Sequence, residues 1–292
     1  MQPTPIRSPI IRWLVYSHVW MALCAVAQVW WTFMYLDDRS AELQLIAFTF
    51  FATVSAYGFM RLMRAKGALA DSVPLFQWVD RNRVWQWILV AISGSLSVIF
   101  IFPLIGKLVG ILWWIVPICL LYVLPFGYPK RYLGLRAIPA LKVPIVGFVW
   151  AVVTVTMPSI AVGLEFTEPL AYLLFIQRFL FVMALTIAFD IRDSAIDPPG
   201  LRTVPQLFGD RGARWIAIGM IIIAAGISIG LAIIDPVSDR MFMHLLPLIG
   251  MFLSAILVHH ADRSKPEIYY GFIIDGLLIL LPLLAWIGSM LH

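Results

Sequence analysis

Nine runs of mostly apolar residues, each about as long as a bilayer is thick, account for most of this 292-residue chain. A hydrocarbon core of about 30 Å takes about 20 such residues per helix. The runs fall at 12–36, 41–63, 84–102, 104–126, 142–163, 169–189, 213–234, 241–260 and 268–290. In lipid, every backbone N–H and C=O must find a partner within the protein, which leaves helices as the natural spanning form for runs of this length. Composition agrees: 62% of the residues are hydrophobic and 13% charged, against about 45–50% and 25% in a soluble domain. The predicted fold is therefore all-α, a polytopic membrane protein with nine transmembrane helices in a single bundle. The connections are short and show no repeat or low-complexity tract, so residues 1–292 are expected to form one transmembrane domain.

The net charge of +5 does not point to nucleic acid, because the basic residues are scattered among short loops rather than clustered on one face. They mark orientation instead. With the N-terminus in the cytoplasm, seventeen of the 21 Lys and Arg fall on inside segments. Only Arg39, Lys107 and Arg240 fall outside, and Arg178 lies within the sixth span. An odd number of spans then puts the C-terminus outside. Ala25-Val26-Ala27 superficially resembles a leader cleavage site, but apolar residues continue to Leu36, so a retained helix is expected. Cys24 and Cys119 lie in apolar runs and read as core residues rather than a disulfide or metal pair.

The chemistry-bearing segment reads Phe189-Asp190-Ile191-Arg192-Asp193-Ser194-Ala195-Ile196-Asp197-Pro198-Pro199-Gly200. At 100° per residue, Asp190, Asp193 and Asp197 fall within about 60° of one helix face at the inner end of the sixth span, with Arg192 directed elsewhere. Pro198 disfavours helical geometry at Asp197. Like charges so close repel. Two readings are open: a solvated acidic helix end paired to nearby arginines, or carboxylates gathered around a cation. Magnesium with bound phosphate oxygens suits the second. Arg61, Arg64, Lys66, Lys130, Arg131 and Lys142 lie on the same membrane face, a combination a magnesium-diphosphate substrate requires.

This stretch resembles the second aspartate-rich motif of the UbiA superfamily of intramembrane prenyltransferases. The resemblance runs through Asp190, Asp193, Asp197, Gly200, Thr203, Leu207 and Gly209. It extends to Tyr128-Pro129-Lys130-Arg131, Lys142, Tyr269, Tyr270 and Asp275. It implies Mg2+-dependent transfer of a prenyl group from a polyprenyl diphosphate to an aromatic or lipophilic acceptor, in a cavity open to membrane lipids. Asp190, Asp193 and Asp197 would be the catalytic metal ligands. Arg61, Arg64, Lys66, Lys130, Arg131, Lys142 and Arg202 would bind the diphosphate. Trp113, Trp114, Trp150 and Phe148 are candidates to line the cavity by cation–π contact, or else face lipid.

One part of the resemblance fails. The family's first motif, Asn-Asp-x-x-Asp-x-x-x-Asp, should end the second span. Here Tyr57 stands for Asn, and Gly58, Arg61 and Ala65 stand for the three Asp. Three readings follow: Arg61, with Arg64 or Lys66, contacts the diphosphate in place of one metal; the fold binds an isoprenoid without transfer; or it cyclises a prenyl diphosphate. Arginine's planar fork suits phosphate oxygens. A transporter is a rival from another class, since Pro103, Pro117, Pro144 and Pro158 interrupt spans, but mid-membrane ionisable residues are nearly absent apart from Arg178. Arg178 and Asp275, both within spans, are expected to pair as a structural bridge. His18 is read as a packing residue, and His259-His260 as a poor metal pair.

Overall fold

The computed structural model describes residues 5–36, 42–65, 74–123, 135, 138, 140–164, 168–194, 201–235 and 240–291. Among these residues there are helices and no strand. They are named here α1 (Pro9–Tyr16), α2 (Val19–Phe33), α3 (Glu42–Arg64), α4 (Pro74–Arg81), α5 (Arg83–Ile101), α6 (Ile105–Val123), α7 (Lys142–Ala161), α8 (Pro169–Asp193), α9 (Val204–Ile234), α10 (Met241–His259) and α11 (Tyr269–Gly288).

The protein is an all-α membrane bundle. Seven helical runs are long and apolar enough to span, or eight when α1 and α2 count together as one broken span bent by 66°. The break is at His18, whose backbone is left-handed (φ 64°). The expected boundary between the third and fourth runs falls at a 3-10 turn, Phe102–Leu104, and not at a gap in helicity. Arg83–Tyr122 is one run of 40 residues, enough for two crossings of about 20 residues each, and its halves return to the same level of α3: Val90 lies beside Gly58, and Tyr122 lines the same cavity as Tyr57.

Helix packing closes a ring. Helix α2 packs on α3 and α11, α3 on α5, and α6 on the Met157–Ala161 end of α7; α7 then meets α8, α8 meets α9, α9 meets α10, and α10 meets α11. The core is made by α2, α7, α8 and α11, with Trp31, Phe181, Leu174 and Tyr270 fully buried. Side chains such as Ile233, Trp113 and Phe252 remain exposed on the outside, as lipid-facing residues must.

Two turns of the bundle are π-helical, Val152–Thr156 in α7 and Tyr269–Ile274 in α11. A π turn loosens the hydrogen-bond ladder locally, and donors from one stripe of α2 meet the neighbouring carbonyls. Trp20 Nε1 donates to Phe272 O (3.2 Å), Cys24 Sγ to Asp275 O (3.2 Å), Gln28 Nε2 to Leu278 O (2.5 Å) and Thr32 Oγ1 to Thr154 O (2.6 Å). Residues 20, 24, 28 and 32 are each four apart, so they lie on one face of α2.

Helix α9 starts with a capping box, in which Thr203 N donates to Gln206 Oε1 (3.2 Å), and the chain bends within it at Gly209. Gly209 has φ 70°, a conformation that costs a side chain with a Cβ but not glycine. At the other end of the bundle, a Cβ on Gly288 would lie 2.3 Å from Phe242 O. Only glycine lets α11 approach α10 so closely.

Arg178 does not bridge to Asp275. It is fully buried, its Nη1 donates to Gln28 O (3.0 Å) and Thr154 Oγ1 (3.3 Å), and its guanidinium stacks on Trp31 at 4.5 Å. The expected pairing fails because α2 and the π turn of α7 reach Arg178 first. Its role is the structural one expected, with different partners.

Candidate functional site

Inside the ring lies a partly open cavity, with about 1140 Å³ of empty space when its mouth is counted. Its walls are apolar, with Met60, Val146, Val149, Val182, Leu185 and Leu278. Its end near Arg61, at the last turn of α3, is polar: Arg61, Lys142, Arg192, Asp193 and Asp275 all line it. Tyr57, Tyr122, Trp150 and Phe189 sit on the same surface. Trp150 Nε1 donates to the Tyr57 hydroxyl (3.1 Å), locking two of these rings together.

The cations are braced. Arg61 and Arg64 both stack on Phe76 of α4, at 5.5 and 5.4 Å. Helix α4 buries Phe76 and Val79 against Leu62, Ala65 and Val90. A short helix outside the ring thus fixes the end of α3. Arg192 stacks on Phe189 (5.1 Å) and Tyr270 (5.4 Å), and its Nε donates to Asp193 Oδ1 (2.7 Å). Lys142 opens α7 and meets Asp190 of α8, Nζ to Oδ1, at 2.5 Å; the Asp190 side chain is wholly enclosed.

A side chamber with about 530 Å³ of empty space adjoins the cavity and shares Met21, Tyr57, Arg61, Phe189, Arg192 and Asp275 with it. His18, Tyr16 and Glu267 line its far side. The Tyr16 hydroxyl donates to Glu267. Burial pushes the Glu267 carboxyl above the usual carboxylate range, while the Tyr16 hydroxyl, Arg192 and Arg61 pull it back down.

Of the residues singled out from the sequence, Arg61, Lys142 and Asp193 come together around the cavity. Asp190 stands behind Lys142 and not on the cavity surface. Arg64 turns to Phe76, and Arg202 is exposed beside the start of α9; neither lines the cavity. Lys66, Lys130, Arg131 and Asp197 lie outside the described residues. Of the four aromatic candidates only Trp150 lines the cavity: Trp113 is 81% exposed, and Trp114 packs on Phe148 at 5.7 Å. Arg192 corrects the expectation from the helical wheel. It lies about 100° round from Asp193, yet its long side chain curls back to that carboxylate and onto the cavity surface. Tyr122 and the side chamber were not foreseen. A Tyr–Arg pair four apart on α3, Tyr57 and Arg61, was the legible signal for the cavity face.

The described residues do not assemble a magnesium site. Among them no three His, Cys, Asp or Glu come together. Asp190 and Asp193 are each ion-paired to a cation of the protein, and the positions corresponding to the first motif's aspartates are Gly58, Arg61 and Ala65.

Two solved structures share this architecture. One is the apo structure of a UbiA homolog from Aeropyrum pernix K1, at TM-score 0.62 and 14% identity, covering 96% of this chain and 98% of that one. The other is a UbiA homolog from Archaeoglobus fulgidus bound to GPP and Mg2+, at TM-score 0.61 and 14% identity, covering 95% and 99%. The chain has the UbiA fold. No family model matches the sequence, and no curated protein matches it either. The UbiA fold accounts for the whole ring of helices.

Proposed function

We propose that the protein is a divergent UbiA-superfamily member, one transmembrane domain over residues 1–292, that binds a prenyl diphosphate and transfers its prenyl group to an aromatic or lipophilic acceptor. The observation that carries this reading is the cavity itself, an apolar chamber inside a membrane bundle with three cations at one end. A prenyl diphosphate has the matching shape, a long hydrocarbon with a compact anion. The A. fulgidus structure holds GPP in the same fold. The segments bearing Arg61 and Arg192 then face the cytoplasm, with the C-terminus outside, as the basic residues favour.

In the proposed reaction the bond between C1 of the prenyl chain and the diphosphate oxygen breaks, and its electron pair leaves with the oxygen. Arg61, Arg192 and Lys142 stabilise the charge that develops there; fixed cations in a dry site do this without reorganising. The allylic cation lies among Tyr57, Tyr122, Trp150 and Phe189, whose ring faces favour positive charge. Apolar walls exclude water, which would otherwise capture the cation. The acceptor's nucleophilic atom bonds to C1 and loses a proton. Asp275 is the carboxylate on the cavity surface placed to receive it, since Asp193 is held by Arg192. Magnesium supplies leaving-group charge neutralisation wherever it is bound, but the described residues assemble no site for it, so no step here depends on it.

The test is incubation of the protein in liposomes with radiolabelled prenyl diphosphates and membrane lipid extract, following pyrophosphate release and a new prenylated product. Release with product, lost in Arg61→Ala, supports transfer. Release with a product that forms equally without the extract favours cyclisation. Tight binding without release identifies a non-catalytic isoprenoid-binding protein.

A further inference from the structure

We infer that this protein grips its diphosphate directly with Arg61, Arg192 and Lys142, without a bridging divalent ion. The inference rests on the prenyl diphosphate reading above and specifies how the anion is held.

Three observations lead to it. First, the two described carboxylates of the aspartate segment are committed within the protein. Asp190 has no exposed surface and sits 2.5 Å from Lys142. Asp193 accepts from Arg192 at 2.7 Å. A carboxylate enclosed behind a lysine cannot reach an ion in the cavity. Second, cations stand where the ligand's charge would be. Arg61, Lys142 and Arg192 line one end of the cavity, against the carboxylates of Asp193 and Asp275. Third, both guanidinium groups are pre-oriented by ring stacking, Arg61 on Phe76 and Arg192 on Phe189 and Tyr270. A braced planar fork loses little freedom when it takes two phosphate oxygens. The elements are thus those of a protein-cation phosphate clamp, in which the rings hold the guanidinium groups in place and the carboxylates balance their charge without holding a metal.

The clamp and a metal site differ in the sign of one substitution. In a clamp, Asp193 competes with the ligand for Arg192, so Asp193→Asn tightens binding. At a metal site Asp193 is a ligand, so the same change weakens it.

The experiment is isothermal titration of the purified full chain in detergent with the non-hydrolysable analogue geranyl thiodiphosphate, in EDTA and again in excess magnesium, with apo melting temperature as the folding control. The expected result is one and the same Kd in EDTA and in magnesium. Arg61→Ala and Arg192→Ala should each weaken binding by about 10- to 100-fold, the effect of one lost charge-assisted hydrogen bond, and Asp193→Asn should bind more tightly than wild type. Should an alanine variant fail to fold, Arg61→Lys and Asp193→Asn carry the test: the lysine variant should bind more weakly because it lacks the fork. Binding that needs magnesium, or is lost in Asp193→Asn, overturns the clamp and leaves the prenyl diphosphate reading intact. No binding by folded protein in either condition, with longer prenyl thiodiphosphates also tried, overturns that reading itself.

Discussion

Two arginines on α8, the fully buried Arg178 and the half-buried Arg192, are fourteen residues apart, about 21 Å along the helix. Both stack on aromatic rings. They differ in what their N–H groups meet. Arg178 meets a backbone carbonyl of α2 and a threonine of the α7 π turn, in the fully packed part of the bundle. Its Nε and Nη2 find no hydrogen-bond partner among the described residues. Arg192 meets a carboxylate and the surface of a large cavity. Charge and ring stacking are shared, yet one arginine is a rivet and the other a candidate ligand contact. Burial of a charge in a membrane protein does not by itself mark a site; an adjoining cavity that a ligand can enter does.

The comparison predicts a double dissociation. Arg178→Ala, which empties volume beside Trp31, should lower stability by about 2–4 kcal/mol, seen as a large drop in apo melting temperature, with ligand affinity unchanged. Arg178→Met should cost much less, because it keeps the volume and removes donors that have no partner. Lost affinity in Arg178→Met would break the distinction.

Arg192→Ala should do the reverse. Ligand at a hundredfold over its Kd stabilises wild type by about 2.7 kcal/mol, and the variant should lose about half or more of that ligand-induced shift at the same concentration while its apo melting temperature falls less than that of Arg178→Ala. Thr32→Val sharpens the structural side. It removes the donor to Thr154 O and should cost about 1 kcal/mol in apo stability without touching affinity.

The smallest expected effect is at the side chamber. Glu267 has its folded pKa raised by burial, so its protonated form contributes stability that is present below its unfolded value and lost as pH rises through the folded one. Melting curves of wild type and Glu267→Gln across this carboxylate range should diverge as pH rises, wild type losing stability that the variant keeps. Parallel curves would show that Tyr16 and the arginines fully offset the burial.

Much of this was legible in the chain. The apolar runs located the helices to within a few residues for most spans, because a bilayer imposes one length on every crossing. The aspartate segment ends in Asp193, which lines the cavity, and the missing first motif drew attention to Arg61, which lines it too. The segment's internal pairing was not legible. Whether Asp190 faces a ligand or a lysine depends on where α7 starts, about fifty residues earlier in the chain. Nor was the Trp20, Cys24, Gln28, Thr32 stripe recognised as polar glue, since its partners are backbone carbonyls, which no side-chain pattern reveals.

Alone, the amino-acid sequence determined the solvent and the element type: 62% hydrophobic residues in bilayer-length runs admit little other than a helical membrane bundle. The tertiary structure decided which charges serve the fold and which face the cavity. Arg178 and Arg192 are the same residue type on the same helix, and only the packing of α2, α7 and α11 around them separates their roles. Helical periodicity states which way a Cα–Cβ bond points, while a long side chain's final partner is chosen by the neighbours within its reach.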